Sequence, residues 1–326
     1  MQEQIRQLSA NLDFKPEANK VLSHLLFNAV VFSLAVLLIK QGSTICYFLA
    51  QAFWPILFFR NFTLMHDAVH GAVSKSKSFN NSMGYIAGAL CFLPYWPWKQ
   101  VHLQHHYWAG NIDQDPTMKI IKNFNPEAHT LVAVLQFFWR SWIPLLAFMQ
   151  HIVFWSAGFK SIVKSSKKDF SCNMYSYGMP LIIYFAIYKG LGLGFLDIAP
   201  GLAIYLVMVE VINFPHHLQL PQNRGNKLLP IWRQYEVTRS CSYPKWFSYL
   251  IINNFNYHVE HHLFPILPWY RLHLVRPLLK NIVGRSYNES IRGEWILQSR
   301  KQSMSKVLIY SPEQILNAED KVASSF

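Results

Sequence analysis

From Val21 to Ile39 the chain carries no charged side chain, and lysines stand at both borders, Lys20 and Lys40. At about 1.5 Å of rise per residue, such a stretch is long enough to cross a bilayer as a helix. Gln41-Gly42-Ser43 reads as a tight turn. A second apolar run from Thr44 to Phe59 then passes through Arg60-Asn61 into Met65-His66-Asp67. So short a connection makes the two runs an antiparallel hairpin. A second hairpin is read over Tyr177–Tyr188 and Ile198–Ile212, with Lys189-Gly190-Leu191-Gly192-Leu193-Gly194 near its tip. Composition agrees, because only 14% of residues are charged, where a soluble domain carries about 25%. Aromatics reach 16%, a usage that suits membrane–water interfaces. The expected fold class is all-α integral membrane: four transmembrane helices in two hairpins, at approximately 21–39, 44–64, 176–189 and 197–213, plus interfacial helices and a cytoplasmic helical cap. Residues 1–20 are expected to form a polar N-terminal segment and 21–326 a single membrane domain.

Between the hairpins the pattern changes. Ser74 to Asn81 is polar and basic and reads as a loop. Ser82 to Trp98 is apolar but interrupted by Gly, and it ends Pro94-Tyr95-Trp96-Pro97-Trp98, so it reads as re-entrant or surface-lying. Leu131 to Phe159 carries Gln136, Arg140, Gln150 and His151 at intervals and reads as an interfacial amphipathic helix pair. Ser161 to Lys168 is strongly basic. The formal charge of +13 points to an anionic phospholipid surface, not nucleic acid, once the apolar runs are taken into account. Four spans put both termini and the basic loops on one side, leaving only the turns at Lys40 and at Lys189 to Asp197 on the other. That is the positive-inside pattern for cytoplasmic termini, in a bacterial inner membrane or an endoplasmic reticulum membrane. The four cysteines, Cys46, Cys91, Cys172 and Cys241, are far apart and form no Cys-x-x-Cys, so neither a disulfide frame nor a zinc knuckle is expected. The first twenty residues lack the basic-then-apolar pattern of a signal peptide, and no cleavage is expected.

The chemistry sits in the histidines. Of 14, eight fall in three segments: His66 and His70; His102, His105 and His106; His258, His261 and His262. Spacings of i, i+3 and i+4 put the members of each segment on one helical face. Three segments with imidazoles on one face are what a metal site assembled from several helices requires. His216 and His217 make a fourth group, while His24, His129, His151 and His273 stand alone and read as hydrogen-bonded interfacial residues. Zinc needs three or four ligands, and its helical protease signature, His-Glu-x-x-His, does not occur. So many imidazoles suit two five- or six-coordinate ions, and iron is the metal that imidazole-rich sites with open positions favour. Two irons sharing a site take O2 through a two-electron step that one zinc cannot.

His66-Asp67-Ala68-Val69-His70, His102-Leu103-Gln104-His105-His106 and His258-Val259-Glu260-His261-His262 resemble the three histidine boxes of the membrane fatty acid desaturase superfamily. Box order, hairpin placement and the phrase Asn256 to Pro265 match over roughly Leu64 to Leu279. The resemblance implies a non-haem di-iron enzyme that uses O2 and two electrons to remove hydrogens from an acyl chain, with the irons held in the cytoplasmic cap. It implies His66, His70, His102, His105, His106, His258, His261 and His262 as ligands. A further ligand region follows the last span in the family, and Asn213 (through water) with His217 are similar to it. His216 is the alternative to His217, because Pro215 leaves the local helix register open. Three residues between the histidines of the first box resemble acyl-lipid desaturases more than acyl-CoA ones. His258 stands where front-end desaturases usually carry Gln. No His-Pro-Gly-Gly of a fused cytochrome b5 domain occurs. Electrons are therefore expected from a separate small donor of ferredoxin or cytochrome b5 type, served by its own reductase, and the basic charge suits an acidic partner.

Ligating imidazoles usually give their other N–H to a carboxylate or carbonyl. Asp67, Asp113, Asp115 and Glu260 lie beside the boxes and are candidates, the alternative being caps or neutralisers of a basic surface. Glu210 lies inside the last span, three residues before Asn213, where an acidic group is costly unless paired or near the ions. Trp96, Trp98, Tyr107, Trp108 and Tyr257 either line an acyl tunnel or form an interface belt. Two other functions are set against desaturation. A hydroxylase or ketolase of carotenoids, sterols or alkanes would share the di-iron site, and product mass separates it. A non-catalytic metal transporter or sensor would need polar residues inside the spans, which, apart from Glu210, are nearly free of them.

Overall fold

The computed structural model describes residues 1–164 and 167–308, apart from the side chains of residues 120 and 157–168. The side chains of the basic stretch Ser161 to Lys168 and the C-terminal residues 309–326 lie outside the described residues. The chain is mostly helical: α1 Gln2–Ala10, α2 Ala18–Lys40, α3 Thr44–Ala50, α4 Phe53–His70, α5 Lys77–Leu90, α6 Tyr95–Trp108, α7 Lys119–Lys122, α8 His129–Arg140, α9 Leu145–Lys164, α10 Lys167–Leu191 and α11 Phe195–Asn213. Beyond α11 come β1 Ser240–Ser242, α12 His258–Leu263, α13 Trp269–Val283, β2 Glu289–Ile291, α14 Glu294–Ser299 and α15 Met304–Leu308. β1 and β2 pair in parallel, Cys241 opposite Ser290.

Among the described residues, two helices are long and apolar enough to cross a membrane, Ala18–Lys40 and Phe195–His216. A third span arises if α8 and the start of α9, bent by 112°, are taken as one. α2 is apolar all round and turns Leu22, Leu26, Val30 and Leu37 outward. Its inward stripe, Val21, His24, Asn28, Val31 and Ala35, follows the helical repeat and packs on α4.

The run read as one span over 44–64 is broken at Gln51-Ala52 into α3 and α4. Pro200 removes the backbone N–H that would bond Leu196, and Tyr47 Oη donates to the freed Leu196 carbonyl at 2.9 Å. One residue on, the Gly201 amide donates to Gln51 Oε1 at 3.0 Å. Gln51 Nε2 and Trp54 Nε1 in turn donate to the Asp197 carbonyl, each at 3.1 Å. Gly201 also permits the approach, since a Cβ there would lie 2.4 Å from Trp54 Cβ. The break between α3 and α4 thus answers the backbone groups that Pro200 leaves without helical partners in α11.

The segment read as re-entrant is a pair of helices, α5 and α6, joined by a turn at Cys91 to Pro94. α5 begins earlier than expected, inside the polar stretch read as a loop. Ser76 Oγ accepts from the Phe79 amide, and Asn80 ties back to Val73 and Ser74. α4, α5 and α11 form the centre of the bundle. The polar N-terminal segment contains α1, whose Ile5 and Leu8 pack with Tyr257, Val259, Leu263, Val275 and Leu279 of a second core under α12 and α13.

Candidate metal centre

α4, α6 and α12 bring the histidines together at the end of the bundle remote from the turn at Lys40. Their donor atoms fall into two groups, each with all ligand atoms within 4.8 Å of one another. His66, His70, His102, His106 and His261 form one; His105, His217, His258 and His262 form the other. The triplets are split between them. On α6 the i, i+4 pair His102 and His106 joins the first group and His105 the second; on α12 the pair His258 and His262 joins the second and His261 the first. One helical turn therefore serves two centres.

Whether these residues suit metal ions is decided by their protons. His105 Nδ1 donates to Asp115 Oδ2 at 2.7 Å, His262 Nδ1 to Gln234 Oε1 at 2.8 Å and His217 Nδ1 to the Val237 carbonyl at 3.3 Å. In a neutral ring this leaves each Nε2 with a lone pair and no proton. Those Nε2 atoms face one another: His105 to His217 at 3.1 Å, His217 to His258 at 2.8 Å, His258 to His262 at 3.1 Å. The first group repeats the pattern, with Nε2–Nε2 contacts of 2.8 Å for His70 and His102, 3.1 Å for His102 and His106, and 3.0 Å for His106 and His261. His66 Nε2 is buried without a hydrogen-bond partner. Burial favours the neutral form of His66, which is pushed down to about 3, first by desolvation and then by His105. His102, His258, His261 and His262 lie well below the usual value for the same leading reason. Converging, deprotonated, buried donors repel one another unless a cation lies between them, so the donor set fits two metal ions.

Among the expected carboxylates, two touch a histidine. Asp115 Oδ2 receives His105 while its Oδ1 accepts from the amide and hydroxyl of Thr117 at 2.9 and 2.7 Å. Asp67 Oδ1 lies 3.2 Å from His66 Nδ1, and burial raises this carboxyl to about 7 against the opposing Trp269 amide. The other three have different partners. Glu260 leaves α12 on the face opposite the histidines and accepts from Ser240 Oγ and Tyr287 Oη, both at 2.6 Å. Glu210 pairs with Arg300 at 2.6 Å and accepts the amides of Leu146 and Ala147 at the start of α9. Its place in the span is thus accounted for by an ion pair, with no histidine among its partners. Asp113 holds the Gly225 amide and Lys122 near the surface.

His216 and His217 are placed differently. Pro215 closes a short 3-10 turn, Phe214–His216, after α11. That turn carries His217 into the second group and leaves His216 outside both, stacked on His258 at 4.1 Å and 12°. Asn213 ends α11 and lines a cavity of about 90 Å³ with His66, His105, His217 and His258. Of the aromatics singled out, Trp98 lines this cavity and stacks on His102 at 4.5 Å. Tyr107 is exposed, and Tyr257 is buried in the core beneath α12 and α13. Other parts of the wall were not legible by pattern, among them Phe62, Phe154, Tyr205, Val209 and Phe255, with His151. His151, expected at an interface, is buried here and donates Nδ1–H to the Ala147 carbonyl at 2.8 Å.

The spans are less empty of polar groups than expected. Arg60 is buried in α4. It donates to Asn28 Oδ1 at 2.7 Å, to Asn253 Oδ1 at 2.9 Å, to His24 Nδ1 at 3.1 Å and to the Leu250 carbonyl. His24, read as solitary, is a member of this network. Its effect is to tie α2 and α4 to the turn at Asn253-Asn254, four residues before the third histidine segment.

A histidine-rich centre at one end of a helical membrane protein sets the class. Comparison with known proteins sets the family: the fatty acid desaturase family model matches residues 43–292. Among relatives, a sn-1 acyl-lipid omega-3 desaturase (ferredoxin) of Synechocystis sp. is 26% identical, over 76% of this chain and 72% of its own length. An endoplasmic reticulum omega-3 fatty acid desaturase of Nicotiana tabacum is 24% identical, over 82% of this chain and 73% of its own. A chloroplastic omega-6 fatty acid desaturase of Arabidopsis thaliana is 23% identical over 95% of this chain and 69% of its own. The chain belongs to the fatty acid desaturase family and is an oxidoreductase acting on fatty acyl chains.

Proposed function

We propose that this protein desaturates an acyl chain esterified in a membrane lipid, using O2 and two electrons from a separate ferredoxin-type donor, at two irons held by the nine histidines. One observation carries the reading: two groups of imidazoles converge, the ligand atoms of each within 4.8 Å of one another, beside a cavity with apolar side chains in its wall. His66, His70, His102, His106 and His261 would hold one iron and His105, His217, His258 and His262 the other, with Asn213 placed to reach the second through water. Bound there, the irons supply the O2-dependent abstraction of hydrogen from an unactivated C–H bond.

The chain's own residues orient and exclude. Asp115, Gln234 and the Val237 carbonyl hold protons on the outer nitrogens of His105, His262 and His217, which fixes tautomer and ring direction. Phe62, Val209 and Phe255 give the cavity apolar walls that favour an acyl segment over water. The name of the Synechocystis relative, sn-1 acyl-lipid omega-3 desaturase (ferredoxin), supports the lipid substrate and the donor type. For topology we keep four spans in two hairpins, with the centre and both termini cytoplasmic, since the basic loops share the side of the histidines.

The test is lipid mass profiling of cells that make the parent chain beside a His261→Ala variant. A lipid lighter by two hydrogens, present with the parent and absent with the variant, is the expected result. Gain of an oxygen atom would move the reading to hydroxylation.

A further inference from the structure

The proposed reaction has a requirement that the two groups of histidines do not meet. Desaturation turns O2, two acyl hydrogens, two electrons and two protons into two waters and a carbon–carbon double bond. Two C–H bonds and the O–O bond break; four O–H bonds and one C–C π bond form. The electrons come from the donor protein and the hydrogens from the acyl chain. The two protons must be carried across the wall of the cavity beside the histidines.

His151 lines that cavity together with His66, His105, His217 and His258, yet it belongs to neither group of donors. Its Nδ1–H is committed to the Ala147 carbonyl at 2.8 Å, so the neutral ring has its lone pair on Nε2. That nitrogen is buried and has no hydrogen-bond partner, an unmet acceptor that a water or a transferred proton would satisfy. The ring is set from a distance. The Glu210 carboxylate, held by Arg300, accepts the amides of Leu146 and Ala147 and so fixes the first turn of α9. The Ala147 carbonyl of that turn then orients His151, whose ring meets Tyr205 edge-on at 5.8 Å.

The ionisable groups that face α9 from its neighbours are otherwise engaged. On α11, Glu210 is paired and Tyr205 is turned to the Cys91 thiol. On α6, Lys99 donates to Asn81 at 3.0 Å, and His102 and His105 are among the converging donors. Arg140 of α8 reaches the Lys301 carbonyl, and Tyr177 of α10 gives its hydroxyl to the Trp155 carbonyl. Gln150, the residue before His151, also lines the cavity and is partly exposed, so polar side chains extend from His151 toward the surface.

We propose that His151 is the proton-transfer residue of the centre. Its Nε2 takes a proton from water that reaches the cavity past Gln150 and gives it to oxygen as oxygen is reduced; a second proton follows by the same route. The ring ends each transfer neutral, with Nδ1–H still on the Ala147 carbonyl. The proposal rests on the proposed function for the reduction of O2, but the state of the ring is read separately.

The full-length protein, labelled with nitrogen-15 in its histidines, is measured first by NMR without metal. A ring with a protonated Nδ1 and a bare Nε2, whose signals vanish in His151→Gln, is the expected finding; a proton on Nε2 instead would overturn the proposal. The iron-loaded proteins are then given a two-iron ferredoxin, its reductase and liposomes of phosphatidylglycerol with oleoyl and linoleoyl chains, and lipid product, O2 and hydrogen peroxide are counted. His151→Gln should bind as much iron as the parent and melt with it, because its amide N–H can still meet the Ala147 carbonyl. Its turnover should fall about 100-fold, the scale of a lost proton-transfer group, with most of the O2 consumed appearing as peroxide. Imidazole should restore part of the turnover to His151→Ala, which has room for it, and none to His151→Gln. Iron loss in step with turnover would assign His151 a structural role and overturn the proposal. So would a His151→Gln protein as active as the parent, which would leave the proposed function standing. A parent that adds oxygen to the lipid would sink desaturation and not His151, because that reaction also takes two electrons and two protons per O2 and the peroxide yield still reads them.

Discussion

Asp115 shows what single residues decide at this centre. Its carboxylate fixes the proton on His105 Nδ1, and Thr117 fixes the carboxylate. Replacing it as Asp115→Asn should lower affinity for iron at the second group about 10–100-fold with the fold intact, measured by iron titration of the purified protein. Glu210 is the contrasting case. An acid inside a span needs a partner, which the sequence makes plain, but the partner turns out to be Arg300, ninety residues away, with both side chains buried. Glu210→Gln leaves a buried guanidinium unpaired and should cost about 3–5 kcal/mol, seen as a lower melting temperature in detergent without loss of bound iron per folded molecule. The clustering of the box histidines was legible because i, i+3 and i+4 spacing is local. The roles of Asp67 and Asp115 could be narrowed but not separated from those of Glu260 and Asp113, since a carboxylate beside a box histidine can leave either face of its helix and one in the segment after α6 can turn inward or to the surface.

At the level of the element, the apolar run of α2 and that of α11 read directly, for a lipid-facing helix has little choice of pattern. The break between α3 and α4 did not. It is stabilised by Gln51, Tyr47 and Trp54 reaching carbonyls and an amide that Pro200 disturbs in α11. No local pattern around Gln51 announces a partner 150 residues on. Gly201→Ala tests this junction. With Trp54 Cβ only 2.4 Å from the added methyl, the helices must part, at about 1–3 kcal/mol, and the expected readout is a lower melting temperature. α12 shows the same limit in reverse: its three histidines were expected on one face, and they divide between the two groups, His261 with donors of α4 and α6 and His258 and His262 with His105 and His217.

For the whole molecule, the centre links four parts of the chain, so metal binding and folding should be coupled. Removing metal with a chelator should lower the melting temperature and expose the region of α12 to protease. Adding ferrous ion at about a hundred times its dissociation constant should return roughly 2.7 kcal/mol per site, and His261→Ala should recover less. Thermal unfolding with and without metal, under anaerobic conditions, checks this. The sequence by itself determined the membrane character, the helical class, the box histidines and the family, because hydropathy and ligand spacing act within a few residues. Tertiary structure alone decided how nine rings divide into two groups, that His217 and not His216 joins them, and that Arg60 and His24 share a buried network. Each of these depends on groups distant in sequence meeting in a buried place, where an unpaired lone pair or charge is costly and only the packing of the helices determines which partner is within reach.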